Sequence, residues 1–160
     1  MTYQIGDQII HRNYGPGKIT GIEEKQLGNK KGKYYVVETG QVTLWVPVDS
    51  TENSIRFPAE SGEFQEMLAH LQDDGMNLPD HHTERHDMLA LRMKNRSLSD
   101  LCEIIRDLNA RSRKHTLTRN DNEVLKRAQE ILLNEWEMVL GTPRAIARQE
   151  LDHLLQPSLP

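Results

Sequence analysis

The chain has 160 residues, of which 36% are hydrophobic, 28% charged and only 5% aromatic, with a formal net charge of −4. So lean a supply of rings over that length predicts two modest cores rather than one deep one, and the acid excess excludes a bulk polycation, leaving nucleic-acid contact to a local patch. No apolar run approaches the roughly 18–20 residues of a membrane span. The opening Met1–Asp7 lacks the basic and apolar stretches of a secretory signal, and the single cysteine, Cys102, excludes an internal disulfide and predicts a reducing, cytoplasmic setting.

Residues 1–60 hold most of the glycines, valines and tyrosines. Asp7–His11 and Gly17–Ile22 read as short strands, with Tyr14-Gly15-Pro16-Gly17 as a turn between them. The alternations Tyr34–Thr39 and Val42–Val46 predict two more strands. Gly28–Gly32 and Thr39-Gly40-Gln41 close hairpins, and Pro47, which cannot donate to a ladder, ends the fourth strand. Four or five short strands with tight turns predict a small curled sheet or open barrel. On the fourth strand Trp45 is expected to face outward, with Val42, Leu44 and Val46 on the core side; an exposed tryptophan on a small sheet suits a protein interface.

Beyond residue 60 the pattern is helical. Phe64, Met67, Leu68 and Leu71 recur at helical spacing, and residues 73–81 break it and read as a linker. A helix follows over about 83–95, with Met88, Leu89 and Leu91 as its apolar residues. Ser97 with Asp100 makes a capping pair ahead of the stripe Leu98, Leu101, Cys102, Ile105 and Leu108, over about 97–114. Thr118 with Asp121 repeats the device ahead of a helix over about 119–140, which Gly141 terminates. Thr142 as N-cap and Pro143 at the first position start a last helix that ends near Leu155. The result is an α+β chain: a strand domain over 1–60, a helix and linker over 61–81, and a helical domain over 82–160.

Enzyme signatures are missing: there is no phosphate-cradling glycine loop and no nucleophile elbow. Cys102 lies on an apolar stripe and reads as a small buried hydrophobe. His82 and His86 share a helical face, with Asp80, His81 and Asp87 nearby. Two ligands at i, i+4 fall short of the three or four that zinc needs, so a solvated helix start or a partner surface is the better reading than a metal-dependent hydrolase. Between Glu84 and Arg127 there are eleven basic side chains against seven acids, densest at Arg111-Ser112-Arg113-Lys114-His115. Such a turn suits phosphate contacts, although charged helix faces are also simply solvated.

The residues Ile5–His11, Tyr14-Gly15-Pro16-Gly17, Lys33–Val37 and Trp45-Val46-Pro47-Val48, followed by Ile104–Leu108, Arg113, Leu117-Thr118 and Leu125–Leu132, together resemble the CarD/CdnL family of bacterial transcription regulators over nearly the whole chain. The first group alone is shared with the polymerase-interacting module of transcription-repair coupling factors. The resemblance implies a Tudor-like N-terminal barrel that docks on the β subunit of bacterial RNA polymerase by adding strand edge to strand edge. Lys25, Thr43, Leu44, Trp45, Val46 and Pro47 match that docking surface. It further implies a helical module lying on promoter DNA beside the melted region, without reading sequence and without a cofactor, in a cytoplasmic, nucleoid-associated protein. Its phosphate contacts are expected among Arg85, Arg92, Arg111, Arg113, Lys114 and Arg119. His82 stands where relatives carry a tryptophan wedge, and Trp45 stands where they commonly carry arginine. The rival reading keeps the polymerase-docking module but gives the helices a protein partner instead of DNA.

Overall fold

The computed structural model describes residues 2–157, which divide between Pro58 and Ala59 into two compact units. The first unit holds strands β1 (Gln8–His11), β2 (Gly15–Leu27), β3 (Lys30–Thr39), β4 (Thr43–Pro47) and β5 (Ile55–Arg56). All pair antiparallel in the order β4-β3-β2-β1-β5. The sheet is therefore open, with β4 and β5 as its edges. One face buries Tyr3, Ile9, Ile19, Tyr35, Val37, Val46 and Ile55. This follows from the period-two side-chain alternation of each strand.

Two turns sit earlier than the residue types predict. Gly15, Pro16 and Gly17 pair within β2, and the bend falls before them. Similarly, β2 runs to Leu27 and β3 starts at Lys30, leaving a two-residue loop. Its first residue, Gly28, has φ +64°, a conformation that glycine adopts without a Cβ penalty. The long β2–β3 ribbon explains the difference: Lys30, Lys31 and Gly32 find ladder partners in Leu27, Gln26 and Lys25.

The second unit holds α1 (Ser61–Ala69), a 3-10 turn (His70–Gln72), α2 (His82–Asn95), α3 (Leu98–Ser112), α4 (Arg119–Leu140) and α5 (Arg144–Leu154). Ser97 Oγ accepts the Asp100 N–H at 3.0 Å, and Thr118 and Asp121 form the reciprocal capping box. Gly141 ends α4 in the left-handed region. The predicted Thr142 cap is absent: Pro143 itself occupies the N-cap position of α5, one residue later than expected. The core gathers Phe64, Leu89, Leu101, Ile104, Ile105, Leu108, Leu132, Leu133 and Trp136.

The segment 73–81 is not a tether between domains. Leu78 is buried, the Met76 N–H donates to Asp107 Oδ1 at 2.9 Å, and Gly75 lies so close to α3 that a Cβ there would stand 2.6 Å from the Ala110 Cβ. Together with α1, this segment belongs to the helical unit.

Candidate functional site

The strand unit presents its free border at β4. The Val42 carbonyl accepts the Thr39 N–H and the Val48 N–H donates to the Lys33 carbonyl. Backbone polar groups alternate sides along a strand, so Val42, Leu44, Val46 and Val48 bond toward β3 while Thr43, Trp45 and Pro47 turn away. Pro47 has no N–H, and its carbonyl accepts the Ser50 N–H at 3.2 Å. Thr43 and Trp45 are left with donor and acceptor both turned outward, enough to pair with one short added strand.

Trp45 is 42% exposed, as expected, whereas Val42, expected on the core side, is 37% exposed because it precedes the strand. The indole is fixed by two groups from β2, on the far side of β3. Its Nε1–H donates to Glu23 Oε2 at 3.0 Å, and Lys25 Nζ stands 3.4 Å from the ring centroid. Trp45 pairs directly with Val36, so the ring lies across β3. A cation over the indole face and a carboxylate at its edge match the ring's quadrupole and hold it in one pose. Of the residues predicted to dock, Lys25 and Trp45 thus meet in one cluster, Thr43 and Pro47 flank it, and Val46 is buried as its backing. Glu23 was not predicted; it lies two residues before Lys25, which strand periodicity places on the same face.

In the helical unit the expected phosphate ligands separate into two groups. Arg85 is only 3% exposed. Its Nε donates to Asp121 Oδ1 at 3.0 Å, and its Nη1 donates to the carbonyls of Pro79 and Asp80 at 3.1 and 3.0 Å. This overturns its assignment to DNA: the guanidinium is buried and three of its five N–H groups are held by these partners. Arg92 donates to Asp107 Oδ2 at 2.9 Å, beside Arg106 on the other oxygen. Arg111 pairs with Asp80 at 3.2 Å and is largely covered. Arg113 donates to the Leu155 carbonyl at 2.7 Å, securing the end of α5. Lys114 and Arg119 are exposed; the Lys114 side chain makes no hydrogen bond or ion pair among the described residues, and the Arg119 side chain makes only a surface pair with Glu123. Such exposed pairs contribute little and yield readily to a phosphate.

His82 opens α2 exposed, with its ring stacked on His81 at a centroid distance of 5.0 Å and 18° between planes. Arg85 and Leu89 share the inner face of α2, so the outer face carries Met88 and Leu91, the latter 62% exposed.

These two halves correspond to two separately recognised sequence families. Residues 3–57 match the CarD-like/TRCF RID domain, and residues 66–152 match the CarD C-terminal domain. The chain belongs to the CarD-like family. It is similar to a Bacillus subtilis (strain 168) protein named "Putative transcription factor YdeB", with 26% identity over 144 residues, covering 87% of this chain and 93% of that one.

Within this CarD-like framework the buried carboxylates went unpredicted as organisers. Asp107 lies on the apolar stripe of α3 between Ile105 and Leu108, and accepts from Arg92, Arg106 and the Met76 N–H. Burial alone would push the Asp121 carboxyl up, but hydrogen bonds from Arg85 and Thr118 outweigh it and hold the group below its usual range. An arginine or aspartate at a stripe position was the signal available. Cys102 is buried, and desolvation pushes its thiol up to about 12, with Glu135 reinforcing the shift. Among the described residues no three His, Cys, Asp or Glu side chains are grouped to share a metal ion, and no helix is long and apolar enough to cross a membrane.

Proposed function

We propose that this chain is a transcription regulator that acts by binding rather than catalysis. It docks on the β subunit of bacterial RNA polymerase through the border of β4, and its helical unit rests on promoter DNA to adjust the lifetime of the open complex. The observation that carries the reading is the pairing of an open strand border with a pre-oriented indole. Main-chain groups of Thr43 and Trp45 supply affinity by strand addition, and the Trp45–Glu23–Lys25 cluster supplies the side-chain recognition. A rigid aromatic at the centre of a contact is the usual energetic anchor.

Capture of the polymerase β subunit by the wild type and by a Trp45→Ala variant tests this. The variant should lose at least about 2 kcal/mol, roughly thirtyfold in affinity, as expected of an interface anchor. Equal capture would reject β4 as the docking edge. For DNA, Lys114, Arg119 and the His81–His82 tip are the groups free to reach phosphates. Promoter-complex lifetime, measured with and without the protein, should change; an unchanged lifetime with polymerase binding intact would reject the DNA half.

The second reading, a helical unit that binds another protein, draws on one specific observation: Met88 and Leu91 are exposed together on α2 while Arg85, Arg92 and Arg111 are consumed internally. A gel shift of labelled promoter DNA that weakens steeply with salt favours the first reading over this one.

A further inference from the structure

Part of the β2–β3 ribbon outruns the rest of the sheet. Among the described residues, β1 accompanies β2 no further than Lys18, and β4 leaves β3 at Tyr34. The rungs Glu24–Lys33, Lys25–Gly32, Gln26–Lys31 and Leu27–Lys30 therefore form a two-stranded arm with both edges free, about 10 Å long before its loop. Among the described side chains, none of the arm joins the buried core of the strand unit. Two strands alone are marginal in water, so the fold carries the arm without gaining packing from it.

The charge of the arm is one-sided. From Lys25 to Lys33 there are four lysines and no acid, in a chain of net charge −4. The acids lie at its root: Glu23, which holds the Trp45 indole, Glu24, opposite Lys33, and Asp49, next to the Val48 that donates to the Lys33 carbonyl. Lys25 is committed to the Trp45 ring. Lys30, Lys31 and Lys33 are exposed, and their side chains make no hydrogen bond or ion pair among the described residues. Side chains alternate from Val36, the partner of Trp45, so Lys30 shares the Trp45 face while Lys31 and Lys33 share the opposite one. Cations on both faces of a thin ribbon fit between two anionic walls better than against one flat acidic surface. The major groove of duplex DNA, about 12 Å wide and bordered by phosphates, admits a two-stranded ribbon.

We propose that this arm is a second nucleic-acid contact, carried by the strand unit: it enters a duplex groove and neutralises phosphates through Lys30, Lys31 and Lys33. The contact is to the backbone and reads no sequence. It goes beyond the DNA reading above, which uses the helical unit, and does not rest on it.

The full chain is titrated onto a labelled DNA duplex over a range of salt concentrations, beside the variants K30Q/K31Q/K33Q and K114Q/R119Q. All these changes fall on exposed side chains. The triple variant should bind at least about tenfold more weakly at low salt. Its slope of log affinity against log salt should be shallower by about two, since each phosphate contact contributes about 0.9. K30R/K31R/K33R should bind as wild type does, because charge is what the contact uses; its failure would trace the loss to the structure of the arm and overturn the contact. Capture of the polymerase β subunit should be the same for wild type and both triple variants. A slope shallower by less than about 0.9 overturns the arm, and a shallower slope in K114Q/R119Q then leaves the helical DNA reading standing. Loss of β-subunit capture by the glutamine variant would place the arm in protein docking and likewise overturn the proposal. A wild type that binds no duplex overturns both.

Discussion

Arg85→Met removes the most deeply buried cation of the helical unit. Three hydrogen bonds disappear, to Asp121 and to the carbonyls of Pro79 and Asp80, and Asp121 is left 2% exposed with only the Thr118 cap for company. Methionine fills much of the volume, so the cost is electrostatic. Breaking one side of a buried, hydrogen-bonded ion pair costs about 3–5 kcal/mol. In a unit of about a hundred residues, each kcal/mol moves Tm by about 4–8 °C, so a fall of at least about 12 °C is expected. Helices occur only in the second unit among the described residues, so the far-ultraviolet signal at the helical minimum follows this transition separately from the sheet. Arg85→Met/Asp121→Leu should recover part of the loss, giving a coupling of about 1–3 kcal/mol in the double-mutant cycle. A single variant losing under about 1 kcal/mol, or a coupling of zero, would refute the claim that this arginine is structural. Weakened DNA binding by a fully folded, equally stable Arg85→Met protein would restore it to the phosphate contacts.

Three further outcomes follow from the same geometry. Burial holds His11 below the ordinary imidazole value of 6.5, and its Nδ1 accepts the N–H groups of Asn13 and Tyr14; because the unfolded chain takes the proton first, the strand unit should be most stable above about pH 6.5 and lose stability as pH falls through the lower folded value, whereas Asp121 gives the helical unit an acid loss only below 3.8. Thermal melts read by Trp45 fluorescence in a Trp136→Phe background and by helical dichroism should therefore decline in two different pH windows, and a single shared window would contradict this. Gly75→Ala should destabilise the helical unit by about 1–3 kcal/mol, because its Cβ would meet Ala110 at 2.6 Å on a packed helix; a neutral result in urea denaturation would show that segment 73–81 yields freely. Cys102, its thiol pushed up to about 12, should resist alkylation near neutral pH and react once the chain is unfolded, and rapid labelling of the folded protein would place it outside the core.

Local chemistry made much of this legible from residues alone. Ser97 with Asp100, Thr118 with Asp121 and Gly141 each act through a few neighbouring backbone groups, so their helix ends fall where the side chains indicate. The outward Trp45 and the inward Val46 follow from two-residue alternation, which any half-buried strand obeys. Turn chemistry was less informative at Gly15–Gly17 and Lys30–Gly32. There, ladder pairing with the adjoining strand absorbed residues that in isolation favour a bend.

The division of the basic residues illustrates the other side. Arg85, Arg92, Arg111 and Lys114 are alike as letters, and each sits on or beside a helix with acids nearby. Their fates depend on where Asp121, Asp107 and Asp80 lie in space, at separations of 36, 15 and 31 residues. No helical period reaches that far. Composition, capping and alternation thus defined the elements and their faces, because those depend on contacts within a turn or a strand pair. Which cations remain free for a partner depended on the packing of whole helices, because an ion pair is a property of distance and dielectric rather than of order along the chain.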